Sequence, residues 1–302
     1  MIHSAIDSAK GAPVKLGVWL PVVSSHPRYQ APSWERDAGP AELATVAKAA
    51  DQLGYDCICA PEHVAVPAGR REGTLYWDPL STLGYIAAHT QRVRLAPLVL
   101  VLGYHHPLEI VKRYGTLDRL SGGRVVLGLG VGGTEGEFEL LGASFADRGA
   151  RADDNLSAIR ASLGTTTPCY QGRFFSFSGV IVEPTLPPAT PLWIGGGSRH
   201  ALRRALRSAH GWAPTGLHPA DLGALLAELD PGRRRAGDFE VVFLPRSEHK
   251  VDPLGDPEAV RSFLDEIGRA GVTTLLPRMP SRSVTHYVDQ MAALRELAGG
   301  PR

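Results

Sequence analysis

The chain has 302 residues, 43% of them hydrophobic, and a formal net charge of +1, the composition of an ordinary soluble globular protein. The near-neutral balance gives no electrostatic footing for nucleic acid or a membrane surface, and no run of about 18 apolar residues exists to span a bilayer. Three cysteines, an odd count without framework spacing, fit a reducing cytoplasm rather than a disulfide scaffold.

Met1 to Pro13 has no apolar core of the kind a secretory leader needs, so none is expected. Leu16 to Pro21 reads as a first strand. Pro40 then opens an amphipathic helix through Ala41 to Ala50, closed by Gly54. Cys57 to Ala60 is a second strand, ending in Pro61-Glu62-His63. Its two cysteines are expected to face opposite ways, which argues against a shared metal site; no metal is expected. Asp78-Pro79-Leu80 starts a helix to about His89, and Val93 to Val99 follows as a third strand. Pro107 begins a helix over Leu108 to Leu120, and Ser121-Gly122-Gly123 turns it into a fourth strand, Val125 to Gly130.

Later units keep the rhythm: strands at Leu192 to Gly195, Gly211 to Ala213, Phe239 to Leu244 and Val272 to Leu276. Helices are expected from Asp256 to near Gly271 and from Val284 to Leu297. Such near-continuous apolar strands, covered on both faces, predict an α/β fold, a (β/α)8 TIM barrel, over an open doubly wound sheet. The chain is read as one domain, 1–302, with an insertion between strands 4 and 5 at about 164–190. There a helix from Arg151 to Leu163 precedes a hairpin, Tyr170 to Val182, expected to alternate around Ser178-Gly179. Arg233-Arg234-Arg235 reads as a solvated connector.

Function in such a barrel collects at the carboxyl ends of strands. One of these, Gly195-Gly196-Gly197-Ser198-Arg199, follows a strand and opens a helix. Bare backbone, a capping serine and unpaired N–H groups at a helix start suit a phosphate, with Ser198 donating its hydroxyl and Arg199 adding charge. Arg203, Arg204 and Arg207, further along that helix, read as solvated. Trp19, at the end of the first strand, is either a wall of the substrate pocket or a core aromatic. His105 and His106, just before Pro107, either reach the pocket mouth or form a surface turn.

The run Leu117 to Arg124, then Gly128-Leu129-Gly130-Val131-Gly132, Glu137-Phe138, Leu141-Gly142, Phe145 and Arg148 to Arg151, closely resembles the bacterial luciferase-like superfamily. So do Gly172 to Phe175, Glu183-Pro184, Pro191 to Ser198 and Gly211-Trp212, and the resemblance covers roughly Leu16 to Leu297. The spelling is most similar to the branch that uses the deazaflavin coenzyme F420 rather than flavin mononucleotide (FMN). That resemblance implies a barrel, usually a homodimer, holding the coenzyme's ring at the strand ends. It implies that Val131, Gly132 and Gly133 line the ring. It also implies a backbone bulge behind the ring at Pro97-Leu98-Val99, where Ala96–Pro97 is expected to be trans. His63 stands where related deazaflavin enzymes place a histidine beside the reactive carbon; a structural histidine is the other reading. Glu62 stands where relatives commonly carry aspartate.

The expected function is an F420-dependent oxidoreductase acting on a small organic molecule. An FMN-dependent monooxygenase and a binding protein without turnover are the alternatives. A Schiff-base aldolase on the same fold fits less well, because no lysine sits at an expected strand end.

Overall fold

The computed structural model describes residues 13–24, 32–67, 75–229, 239–246 and 249–299. The start read as having no secretory leader (its residues 1–12) and Arg233-Arg234-Arg235 lie outside the described residues.

The chain begins its regular structure with β1 (Lys15–Trp19), α1 (Ser33–Asp37), α2 (Pro40–Gln52) and β2 (Cys57–Ala60). Then come α3 (Pro79–Ala87), β3 (Arg94–Pro97), β4 (Leu100–Val101), a 3₁₀ turn (Leu102–Tyr104), α4 (Pro107–Ser121) and β5 (Leu127–Gly130). After β5 come α5 (Glu135–Leu140), α6 (Arg148–Ser162), β6 (Tyr170–Gln171) and β7 (Ser176–Phe177). The remaining elements are β8 (Leu192–Gly195), α7 (Arg199–Ser208), β9 (Gly211–Ala213), α8 (Pro219–Leu229), β10 (Glu240–Phe243), α9 (Pro257–Ala270), β11 (Thr274–Leu275) and α10 (Val284–Leu297). Helix starts follow capping chemistry. Asp78, Ser198, Asp256 and Ser283 each accept a first-turn N–H, and Pro79, Pro107 and Pro257 take the first helical positions.

Nine strands pair in the order β3-β2-β1-β11-β10-β9-β8-β5-β4, all in parallel. β3 and β4 are the halves of one interrupted stave: Leu95 bridges to Val125 ahead of β5, while Leu100 pairs with Leu129. Nine strands therefore make eight staves, and the barrel expected from the sequence is the fold observed. The run read as one strand from Val93 to Val99 is interrupted between Pro97 and Leu100, and Leu98–Val99 there is a cis peptide; Ala96–Pro97 is trans.

Apolar residues form two clusters. The larger lies between staves and helices; the smaller fills the barrel and includes Leu98, Val126, Trp193, Val242 and Leu276. Cys57 and Cys59 belong to this inner cluster, with sulfurs 3.9 Å apart. The expectation that they face opposite ways is overturned, since residues two apart on a strand share a face. Among the described residues no group of three or more side chains could hold a metal ion, and no helix is long and apolar enough to cross a membrane.

An ionic cluster occupies the amino-end floor. Arg94 donates to both Glu240 oxygens (Nη1 3.0 Å, Nη2 2.6 Å) and to Asp56. Its guanidinium lies 5.0 Å from the Trp193 ring centroid, and Trp193 Nε1 donates to Glu240 at 3.1 Å.

The hairpin of the insertion turns several residues earlier than expected, at Gly172 to Phe175 rather than Ser178-Gly179. The Asp154 carboxylate on α6 causes this: it accepts from the N–H groups of Arg173, Phe174 and Phe175 and from the Tyr170 hydroxyl. A Cβ at 172 would stand 2.2 Å from Asp154 Oδ1, so a larger residue there would have to displace the carboxylate that holds the turn. Helices α1, α5 and α8 are additions to the sequence reading.

Candidate coenzyme and substrate cleft

A cleft of about 880 Å³ opens at the carboxyl ends of the staves. Its floor is the break between β3 and β4. A Cβ on Gly128 would lie 2.3 Å from the Pro97 carbonyl oxygen, one on Gly130 2.3 Å from Val99 Cγ2, and one on Gly195 2.2 Å from Val99 Cγ1. These three glycines thus make room for the bulge, and the bulge presents Leu98 and Val99 to the cleft. Pro97, expected at the ring, sits behind this wall and does not line the cleft. Val131, Gly132 and Gly133 do line it. Gly132 has φ 81° and a Cβ there would strike Phe138 and Val101 at 2.7 Å, whereas a Cβ on Gly133 would meet nothing within 4 Å.

One end of the cleft is cationic. Gly195, Gly196, Gly197 and Ser198 line it where β8 passes into α7. Gly196 takes φ 114°, and Ser198 Oγ accepts from Ala201 N at 3.2 Å, which leaves its hydroxyl hydrogen for another acceptor. Arg148 and Arg204 add charge from α6 and α7. Arg148 donates to the Phe145 carbonyl at 2.9 Å and lies 3.7 Å from that ring's centroid. Arg204, read from the sequence as solvated, has a side chain only 11% exposed and grips Asp153 through Nε at 2.8 Å and Nη2 at 3.2 Å.

Arg199, the expected phosphate partner, points away and pairs with Glu228 on α8. Helical facing explains the exchange. His200, Ala201 and Arg204 are spaced so as to share one stripe of α7, and all three line the cleft; Arg199 and Arg203 share another.

His63 lines the cleft after β2. Its Nδ1 is 2.9 Å from Glu137 Oε2, and its ring lies 4.3 Å from the Tyr76 ring between centroids. Glu137, on α5, is 1% exposed; its Oε1 accepts from Val64 N at 2.6 Å and Ala65 N at 3.2 Å. Glu62 turns the other way. It accepts from Val101 N at 2.6 Å, on β4, and from His105 Nε2 at 2.7 Å. Burial works against the His105 charge, but the hydrogen bond to Glu62 and the charges of Glu62 and Glu109 outweigh it and raise its pKa above the ordinary 6.5.

The structure does not bring His105 and His106 into the cleft. Both line a separate cavity of about 350 Å³, where His106 caps α4 and packs edge-on against Phe175 with centroids 5.5 Å apart. Trp19 does line the cleft, with the Arg278 guanidinium 6.0 Å from its centroid. Because β1 and β11 are neighbours in the ring, Trp19 and Arg278 lie across the barrel mouth from β5 and β8.

The sequence reading gave no role to Glu137, Tyr104, Arg148, Arg204 or Arg278. The available signal was Thr134 three residues before Glu137, the spacing of a helix start, with Phe138 next to anchor it.

Barrel, bulge and cleft together define a TIM-barrel protein whose cleft opens at the carboxyl face. The chain belongs to the luciferase-like monooxygenase family, whose model matches residues 14–244. It is 30% identical over 205 residues to an F420-dependent glucose-6-phosphate dehydrogenase of Nakamurella multipartita, covering 66% of this chain and 60% of that protein. Its fold is similar to monooxygenase RslO1 from Streptomyces bottropensis (TM-score 0.75, 20% identity, 94% of this chain and 98% of that one). It is also similar to an F420-dependent secondary alcohol dehydrogenase (TM-score 0.75, 15% identity, 95% and 99% covered). Family membership makes the chain an oxidoreductase of the luciferase-like type.

Proposed function

We propose that the chain is a coenzyme F420-dependent oxidoreductase that moves a hydride between the deazaflavin and a small organic substrate. The observation that carries this reading is one cleft combining a side-chain-poor apolar wall with a cationic end. The open space above Gly133 and the packed bulge at Leu98-Val99 fit a flat ring lying close to backbone. The start of α7, Ser198, Arg148 and Arg204 fit a phosphate. The named coenzyme of the Nakamurella relative supports the choice of F420.

When bound, the deazaflavin supplies the hydride chemistry. The chain's own groups bind, orient and move the proton. Arg148, Arg204 and Ser198 hold the anionic end; Val99, Val131 and Gly133 set the plane. Trp19 and Arg278 form the substrate wall on the opposite staves. His63, held at Nδ1 by Glu137, offers Nε2 to a proton on the reacting group.

The FMN-dependent monooxygenase is the second reading, favoured by the family's description and by RslO1 among the fold neighbours. The same wall and cationic end would hold a flavin ring and its phosphate. Equilibrium binding of F420 and of FMN to the purified protein, followed by fluorescence, separates the two. Tighter binding of F420 is expected; preference for FMN replaces the first reading with the second. Binding of F420 with no turnover across a substrate screen in both redox directions would leave a coenzyme-binding protein. The homodimer belongs to the same proposal, and sedimentation equilibrium measures it.

A further inference from the structure

We infer that Glu137 is the positioning residue for His63, fixing the neutral imidazole as the tautomer protonated at Nδ1 and leaving the Nε2 lone pair for the cleft. A carboxylate brings no hydrogen to the 2.9 Å contact between Glu137 Oε2 and His63 Nδ1, so the ring supplies it. Glu62, the other nearby carboxylate, is committed to Val101 N and His105 and does not compete for the ring.

Glu137 acts through His63 rather than on substrate, because its oxygens are already used. It accepts from His63 Nδ1, Val64 N and Ala65 N. A carboxylate has about four lone-pair sites, and three donors from the His63–Ala65 segment occupy most of them. Burial, the charge of Glu137 and the hydrogen bond to it push the Tyr104 pKa far above the ordinary 10. One buried carboxylate therefore fixes both the ring and the backbone that carries it, across a separation of 74 residues in sequence.

The tautomer needs no coenzyme to be seen, although its use in turnover rests on the reading proposed above. The test is the nitrogen NMR spectrum of protein labelled with ¹⁵N-histidine, free of coenzyme at pH 8, with His63 assigned by its loss in His63→Gln. The wild type is expected to show a protonated Nδ1 and a bare Nε2, the reverse of the form that free neutral histidine prefers. In Glu137→Gln the amide oxygen must still serve Val64 and Ala65, which turns the NH₂ group toward Nδ1. The His63 proton is then expected to move to Nε2. A wild-type ring protonated at Nε2 overturns the inference, and so does a folded Glu137→Gln protein whose tautomer is unchanged. If that variant does not fold, the wild-type spectrum decides alone. Failure of F420 to bind would sink the proposed function and leave this result standing.

Discussion

Val99 stands in the place a side chain at position 195 would need: a Cβ on Gly195 would lie 2.2 Å from Val99 Cγ1. The cleft floor is thus an interlock between the stave break and β8. Gly195→Ala overpacks it and is expected to cost about 1–3 kcal/mol in denaturant unfolding. Adding Val99→Ala moves the nearest atom to Val99 Cβ at 3.5 Å, ordinary contact, and recovers part of the loss. Equal stability of the single and double variants would refute the interlock.

The anionic end of the coenzyme should be held by Arg204 and not by Arg199. Arg204→Met removes a charged donor from the cleft wall, and a charge-assisted contact is worth about 1.5–3 kcal/mol, roughly ten- to hundred-fold in Kd. Arg199→Met touches a residue paired with Glu228 and should change Kd less than two- to threefold, within about 0.6 kcal/mol. Titrating F420 into both variants at two salt concentrations checks the contrast. A larger loss in the Arg199 variant would restore the assignment made from sequence.

At the barrel floor, burial penalises the Glu240 charge, yet the hydrogen bonds and charge of Arg94 outweigh it and hold the Glu240 pKa below the ordinary 4.5. A lowered acid pKa contributes stability above the unfolded value and loses it as pH falls through the folded one. Glu240→Gln is therefore expected to unfold about 2–3 kcal/mol more easily at pH 7. The gap should narrow on acidification below pH 4.5. Chemical denaturation at several pH values measures it; a gap independent of pH would remove Arg94 as its cause.

His105 carries the opposite sign. Its raised pKa means that the Glu62 contact stabilises the fold fully below the unfolded value near 6.5 and fades as pH rises through the folded pKa. Proton NMR of the His105 ring should show a midpoint above 6.5 that falls in Glu62→Gln. An unchanged midpoint would mean that Glu109, whose Oε2 lies 3.9 Å from His105 Nδ1, holds the charge instead.

Much of the barrel was legible because each stave is a short apolar run between glycine or proline boundaries. Leu192–Gly195 and Gly211–Ala213 fall where the pattern places them. The stave break was not legible, since Leu95 to Val101 is apolar throughout and the cis bond lies beyond the proline. Six residues give too little periodicity to reveal α5, and its Glu137 gains meaning only from contacts 74 positions away. Arg199 and Arg204 look alike in sequence. Which one meets the cleft depends on how α7 rolls against α6, where Asp153 takes Arg204. The cysteine pair was misplaced by an error of strand alternation that the inner cluster corrects.

Gly133 leaves open space at the carboxyl end of the barrel. It borders the cleft, its backbone lies outside the left-handed region, and a grafted side chain would at first meet nothing. A residue grafted at 133 would therefore take up the space in which the proposed ring lies, so bulk added there would weigh on coenzyme binding while leaving every stave undisturbed.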